Sequence, residues 1–136
     1  MFRPHWDEVW MNVTKNIAER SHHPQHKVGA IIVTEDNTQV LAIGYNGNAA
    51  GLSNDIESDV PGCSGLIHAE INALLKLDYN NPKGKKMYLT LSPCDYCAKC
   101  IVNSGIKEVI YLEPYRDLTG VNILNDAEVI CRKYLS

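Results

Sequence analysis

Apolar and polar positions follow two different periods along this chain, and the switches between them mark its elements. From His5 to Arg20, the residues Trp6, Val9, Trp10, Val13 and Ile17 recur three and four apart, with Asp7, Glu8, Asn12 and Lys15 between them. That period predicts an amphipathic helix with those five side chains facing the core. Ser21 to Lys27 is polar and broken by Pro24, hence a loop. Val28-Gly29-Ala30-Ile31-Ile32-Val33-Thr34 is a short β-branched run, a buried strand. Glu35 to Thr38 is turn material and Val40 to Tyr45 a second strand, so residues 28–45 read as a hairpin. Residues 47–66 are rich in Gly, Ser, Asn and Asp and contain Pro61, which makes a long loop of the kind that serves as a lid or binding loop.

From His68 to Asp78 the pattern returns to helix, with Ile71, Ala73, Leu74 and Leu75 as its buried face. Residues 86–91 form a third strand. Pro93 then starts a helix at a position where its missing N–H costs nothing; it carries Cys97, Cys100 and Ile101 and ends near Ser104-Gly105. A fourth strand over 109–112, a helix from Thr119 to Asp126 and a last strand over 128–131 complete the chain. After the hairpin, helices and strands alternate, which implies parallel strands joined by crossover helices. The expected fold class is α/β: a three-layer α/β/α domain spanning 1–136, built on a mixed five-stranded sheet.

Composition narrows the function. The 136 residues are 45% hydrophobic and 21% charged, with net charge -3 and a pI near 5.9. That balance argues against a large footprint on nucleic acid, yet leaves room for a small basic pocket. No apolar run approaches the roughly 18 residues of a membrane span, and the N-terminus has neither h-region nor cleavage site, so a cytoplasmic location is expected. Three of the five cysteines, Cys94, Cys97 and Cys100, fall within seven residues. Without a signal peptide, that density reads as metal binding rather than a disulfide framework.

The chemistry gathers in His68-Ala69-Glu70 and Ser92-Pro93-Cys94-Asp95-Tyr96-Cys97. His68, Cys94 and Cys97 offer three ligands to Zn²⁺ and leave its fourth position open, as in catalytic rather than structural sites. Glu70 stands where a carboxylate can move protons without ligating. Both segments open predicted helices, where unpaired N–H groups favour thiolates and bound anions. Cys97 and Cys100 share the spacing of Cys94 and Cys97; Pro93 and the helix start favour the first pair, leaving Cys100 and Cys131 to the core. A closed site of Cys63, His68, Cys94 and Cys97 would instead staple a non-catalytic binding module, with Glu70 a bystander. Asn46-Gly47 suits a tight turn as well as a site, and His22, His23 and His26 suit a solvated loop, a metal, or an active-site loop.

H-x-E followed by P-C-x-x-C is the signature shared by zinc deaminases. Together with Val28-Gly29-Ala30-Ile31-Ile32, Gly44-Tyr45-Asn46-Gly47, Thr90-Leu91-Ser92 and Ser104-Gly105-Ile106, it makes the chain resemble the deoxycytidylate (dCMP) deaminase family, of cytidine deaminase-like fold. The resemblance implies hydrolytic deamination of dCMP to dUMP and ammonia, supplying thymidylate synthesis. It implies Asn46, Ala69 and Tyr115 as substrate contacts, and Arg20, Ser21 and Lys27 as donors to the phosphate, with Arg116 or backbone N–H groups as the alternative. It also implies activation by dCTP, inhibition by dTTP with Mg²⁺, and a homo-hexamer. His23 and Asp55 stand where some members have cysteines for a second, structural zinc, which speaks against one here. Cytidine and tRNA-adenosine deaminases share the zinc motif and are the nearest rival readings.

Overall fold

The computed structural model describes residues 2–135. In order, the elements are α1 (Trp6–Ala18), β1 (Gly29–Thr34), β2 (Val40–Tyr45), α2 (Ala69–Leu74), β3 (Lys85–Leu91), α3 (Asp95–Ser104), β4 (Glu108–Glu113), α4 (Thr119–Asp126) and β5 (Ile130–Lys133). The five strands form one sheet in the order β2-β1-β3-β4-β5. β1 pairs antiparallel with both β2 and β3, whereas β3, β4 and β5 are mutually parallel. The expected hairpin, the parallel crossovers and the mixed sheet are all present.

β1 is buried on both faces, and its alternation splits the core. Ala30 and Ile32 point to one side, where α2, α3 and α4 contribute Ala69, Ala73, Leu74, Ala98, Ile101 and Leu124. Ile31 and Val33 point to the other side, against Met11 of α1, with Tyr88 and Ile110. The three layers follow from that division.

Several boundaries and faces differ from expectation. The buried stripe of α1 is Asp7, Met11, Thr14 and Ala18, not the aromatic stripe; Trp6 is exposed, and Val9, Trp10, Val13 and Ile17 are half-buried. Asp7 turns inward because it has partners there: Tyr88 donates to it at 2.6 Å and Arg132 forks onto it at 2.7 and 3.1 Å. Arg132 also donates to Glu108 at 2.7 Å, so the network ties the first helix to the last strands. α2 is shorter than expected. The chain leaves the helix at Leu75, which is exposed, and Leu77 turns into the core instead. α3 begins at Asp95, after Pro93, with Cys94 as its cap, and ends on Gly105 in the left-handed conformation (φ 85°). β5 runs two residues later than expected because Glu128 sits in a turn at φ 62°.

The topology sets one end of the sheet aside for function. β3 runs out at Leu91 into Ser92-Pro93-Cys94, and its parallel neighbour β4 runs out at Glu113 into Pro114-Tyr115-Arg116. β1 is antiparallel to β3, so it is its beginning, at Val28, that lies at this end; β2, antiparallel to β1, ends there at Asn46. The carboxyl ends of parallel strands are the usual place for ligands in open α/β sheets.

Candidate active site

His68 and Cys94 are the N-caps of α2 and α3. Cys97 lies one turn into α3, fully buried, and its N–H points at Cys94 Sγ, 3.5 Å away. His68 Nδ1 is 3.6 Å from Cys94 Sγ and 3.3 Å from Cys97 Sγ, and the three atoms lie within 4.8 Å of one another. Tetrahedral bonds to zinc of about 2.05 Å from nitrogen and 2.3 Å from sulfur separate such ligand atoms by about 3.6–3.8 Å. The donor set therefore fits zinc in type, and its two nitrogen–sulfur separations lie close to the expected ones. Its charge fits as well. Contact with the Cys97 thiol, outweighing burial, holds Cys94 down at about 4; the same contact and burial push Cys97 far above the ordinary thiol range. Two sulfurs this close ionise together only beside a cation. The hydrogen bond to Cys94 raises His68.

Glu70 lies in the first turn of α2 and is 4% exposed. Burial pushes its carboxyl from 4.5 up to about 7, against the pull of its own backbone N–H and of His68. A carboxyl poised near neutral pH can both take and give a proton. It forms the floor of a cavity of about 330 Å³ together with His68, Ala69 and Cys94. Val28, Asn46, Leu91, Ser92 and Tyr115 make the walls, and His23, His26, Asp59 and Arg116 also line it.

The structure sorts the expected residues. His68, Glu70, Cys94 and Cys97 converge. Cys63 is exposed and is not part of this ligand cluster among the described residues, so the closed four-ligand staple is not formed. Cys100 stays outside it too, packed half-buried against the core, as does Cys131. Ala69 and Tyr115 line the cavity, and Ser92 Oγ holds Tyr115 in place by accepting its N–H at 2.7 Å. Asn46 lines it as well, but most of its amide is spent on the preceding loop. Its Oδ1 accepts from the Ser21 hydroxyl and from Val28 N–H at 3.0 Å, and its Nδ2 donates to the His26 carbonyl at 2.7 Å. One Nδ2 proton is left for a ligand.

Arg20, Ser21 and Lys27 are not brought into the cavity. Lys27 is exposed and reaches back to Glu19 at 3.7 Å, Arg20 is exposed, and Ser21 is tied to Asn46. Besides His68, the basic groups that do line it are His23, His26 and Arg116. His23 Nδ1 accepts from the N–H groups of Gln25 (3.1 Å) and His26 (2.9 Å). That fixes the neutral ring with its proton on Nε2. Arg116 stacks on the Tyr115 ring, 4.7 Å from its centroid. Ser92 carried no signal of its own in the sequence beyond its place ahead of Pro93-Cys94. Arg116 could be found only through Tyr115 beside it.

Residues 4–113 match the family described as "Cytidine and deoxycytidylate deaminase zinc-binding region". The chain is 37% identical to the deoxycytidylate deaminase of Homo sapiens, over 96% of this chain and 80% of that one. It is 36% identical to the deoxycytidylate deaminase of Mycobacterium phage D29, over 82% of this chain and 97% of that one. A solved structure, the dCMP deaminase from the cyanophage S-TIM5 in complex with dCMP and dUMP, superposes with a TM-score of 0.85 at 32% identity, covering 98% of this chain and 100% of that one.

Proposed function

We propose that this chain, which belongs to the cytidine and deoxycytidylate deaminase family, hydrolyses dCMP to dUMP and ammonia at a zinc centre. The observation that carries the substrate is the near end-to-end likeness to a deaminase solved with dCMP and dUMP. His68, Cys94 and Cys97 are the residues that would hold Zn²⁺. When bound, the metal supplies Lewis acidity, which makes water acidic enough to attack at neutral pH. The rest is the work of the chain. Glu70 takes the proton released by the attacking water, passes it to the pyrimidine ring nitrogen, and then assists departure of the amine as ammonia, so that water in and ammonia out balance. Ala69 offers the base a backbone N–H from the first turn of α2, where such groups lack intrahelical partners. Asn46 offers its remaining Nδ2 proton, and Tyr115 flanks the substrate.

The phosphate falls to Arg116, with His23 and His26, because these are the donors that line the cavity. On the family resemblance, the reading extends to supply of dUMP for thymidylate, to activation by dCTP and inhibition by dTTP with Mg²⁺, and to a homo-hexamer; kinetics with each effector and sedimentation test these. Among the described residues no helix is long and apolar enough to cross a membrane, and a cytoplasmic location remains part of the same reading.

The experiment is an absorbance assay of the zinc-loaded protein on dCMP, deoxycytidine, dCTP and a tRNA. We expect dCMP to be turned over, with kcat/KM for deoxycytidine at least tenfold lower. Equal rates on nucleoside and nucleotide would replace this reading with a cytidine deaminase, and tRNA turnover with a tRNA-adenosine deaminase. Zinc binding with no turnover at all would replace it with a binding module.

A further inference from the structure

Two glycines press against the ligand-bearing ends of α2 and α3, and neither has a positive φ that would call for glycine. At Gly44, in β2, a Cβ would meet the Ala69 carbonyl and, at 2.5 Å, the Ala73 nitrogen. At Gly120, in the first turn of α4, a Cβ would meet the Pro93 carbonyl and stand 2.7 Å from the Cys94 carbonyl oxygen and 2.9 Å from its carbon. All of these neighbours except the Ala73 nitrogen belong to the residue after His68, to Cys94, or to the residue before Cys94, and all are backbone, which cannot swing aside as a flexible side chain can.

We propose that Gly44 and Gly120 are positioning residues for the His68–Cys94–Cys97 cluster: each lets a neighbouring element seat one ligand-bearing helix start at the depth where the three donor atoms converge. His68 Nδ1 lies 3.6 and 3.3 Å from the two sulfurs, so a shift of several tenths of an ångström at either cap spoils a separation already matched to zinc. The Cys94 carbonyl also accepts the first bond of α3, from Ala98 N–H at 2.9 Å. Pushing it moves the sulfur and the helix start together. The inference rests on the assignment of these three residues as zinc ligands.

Gly29 supplies the matched control. A Cβ there would meet the Thr14 carbonyl at 2.5 Å and the Ala18 nitrogen at 2.7 Å, a backbone clash of the same kind, slightly less close than at the other two. But it faces α1, which bears no ligand. Zinc affinity is measured by chelator competition, and the ligand sphere by the sulfur-to-cobalt absorption of the Co²⁺-loaded protein. Gly44→Ala and Gly120→Ala should bind zinc about tenfold to a hundredfold more weakly, the range seen when groups that orient ligands are altered, with a changed cobalt spectrum. Gly29→Ala should lose thermal stability yet bind zinc within about twofold of the parent.

Equal losses of affinity in all three variants, or none in the first two, would overturn the proposal. If the first two do not fold, Asp117→Ala decides the Gly120 half. Asp117 accepts from Thr119 N–H (2.9 Å) and its hydroxyl (2.6 Å), so its loss loosens the start of α4 without adding bulk. Zinc retention should fall severalfold, and unchanged retention would refute it. A parent that binds no zinc would instead refute the ligand assignment.

Discussion

Replacing Glu70 by Gln tests the centre of the mechanism most directly. The amide is isosteric and the side chain is buried, so shape and packing persist. What disappears is a group that burial has pushed from 4.5 to about 7. General acid–base catalysis is worth about 10²–10⁴ in rate. In the proposed mechanism Glu70 serves twice, on water and on the ring nitrogen, so the upper half of that range applies: a loss of about 10³–10⁴, or about 4–5.5 kcal/mol of barrier. Zinc content should equal that of the parent, because the carboxylate is not a ligand. The same substitution should stabilise the metal-free protein. A carboxyl whose folded pKa lies above its unfolded value helps least at high pH: its contribution is intact below about 4.5 and is lost as pH rises through about 7. The stability gap in favour of Glu70→Gln should be small at pH 4.5 and approach roughly 3 kcal/mol by pH 8. Turnover of dCMP, zinc analysis, and denaturant melts of chelated protein across that range read all three. A tenth of parental activity, loss of zinc, or a pH-independent gap would each refute the reasoning.

Cys94→Ser and Cys97→Ser should lose zinc on dialysis while Cys100→Ser keeps it; metal analysis showing Cys100 required and Cys97 dispensable would reverse the ligand choice. Arg116→Ala should lower kcat/KM for dCMP by about tenfold to a hundredfold, the worth of one charge-assisted hydrogen bond, and leave deoxycytidine turnover unchanged. Arg20→Ala should leave both unchanged, and a larger loss at Arg20 than at Arg116 would restore Arg20 as the principal phosphate donor. Asp7→Asn should destabilise the fold by about 1–3 kcal/mol, since it weakens a buried charge-assisted network whose Arg132 end is partly exposed. Burial works against ionised Asp7, but Arg132 and Tyr88 outweigh it and hold the carboxyl below its ordinary 3.8. Its contribution is therefore complete above about pH 4, and the gap between variant and parent should close only as pH falls below that. Thermal melts showing the gap closing near pH 7 would contradict this.

Much of this architecture was legible in the sequence because local patterns and the fold agree. The hairpin over 28–45 and the parallel strands after it follow from period and order, and the convergence of His68, Cys94 and Cys97 from two short motifs at helix starts. What was not legible depends on partners far along the chain. Nothing near Asp7 marks it as buried; Arg132, 125 residues later, makes it so. The expected core face of α1 was accordingly rotated by a third of a turn or so. The placing of Arg20, Ser21 and Lys27 outside the cavity has a related reason. Arg20 and Lys27 are close to the site along the chain, but Asn46 pins the loop between α1 and β1 so that His23 and His26 line the cavity.

The sheet order explains how residues distant along the chain meet. Reversing β1 against β3 brings the start of one hairpin strand and the end of the other to the end where β3 and β4 finish. Four chain segments more than 80 residues apart at the extremes, Val28, Asn46, Ser92 to Cys94 and Pro114 to Arg116, thereby line one cavity. α2 closes it from below because Gly44 lets that helix lie against β2, which brings His68 and Glu70 under the same opening. In that arrangement the proposed metal ligands and proton carrier sit on helix starts braced by the core, whereas the residues proposed to read the rest of the substrate, Ala69 apart, sit on loops. Substitutions in those loops should change which cytosine compound is accepted before they change whether deamination occurs, whereas substitutions at the helix starts should abolish the reaction for every substrate alike.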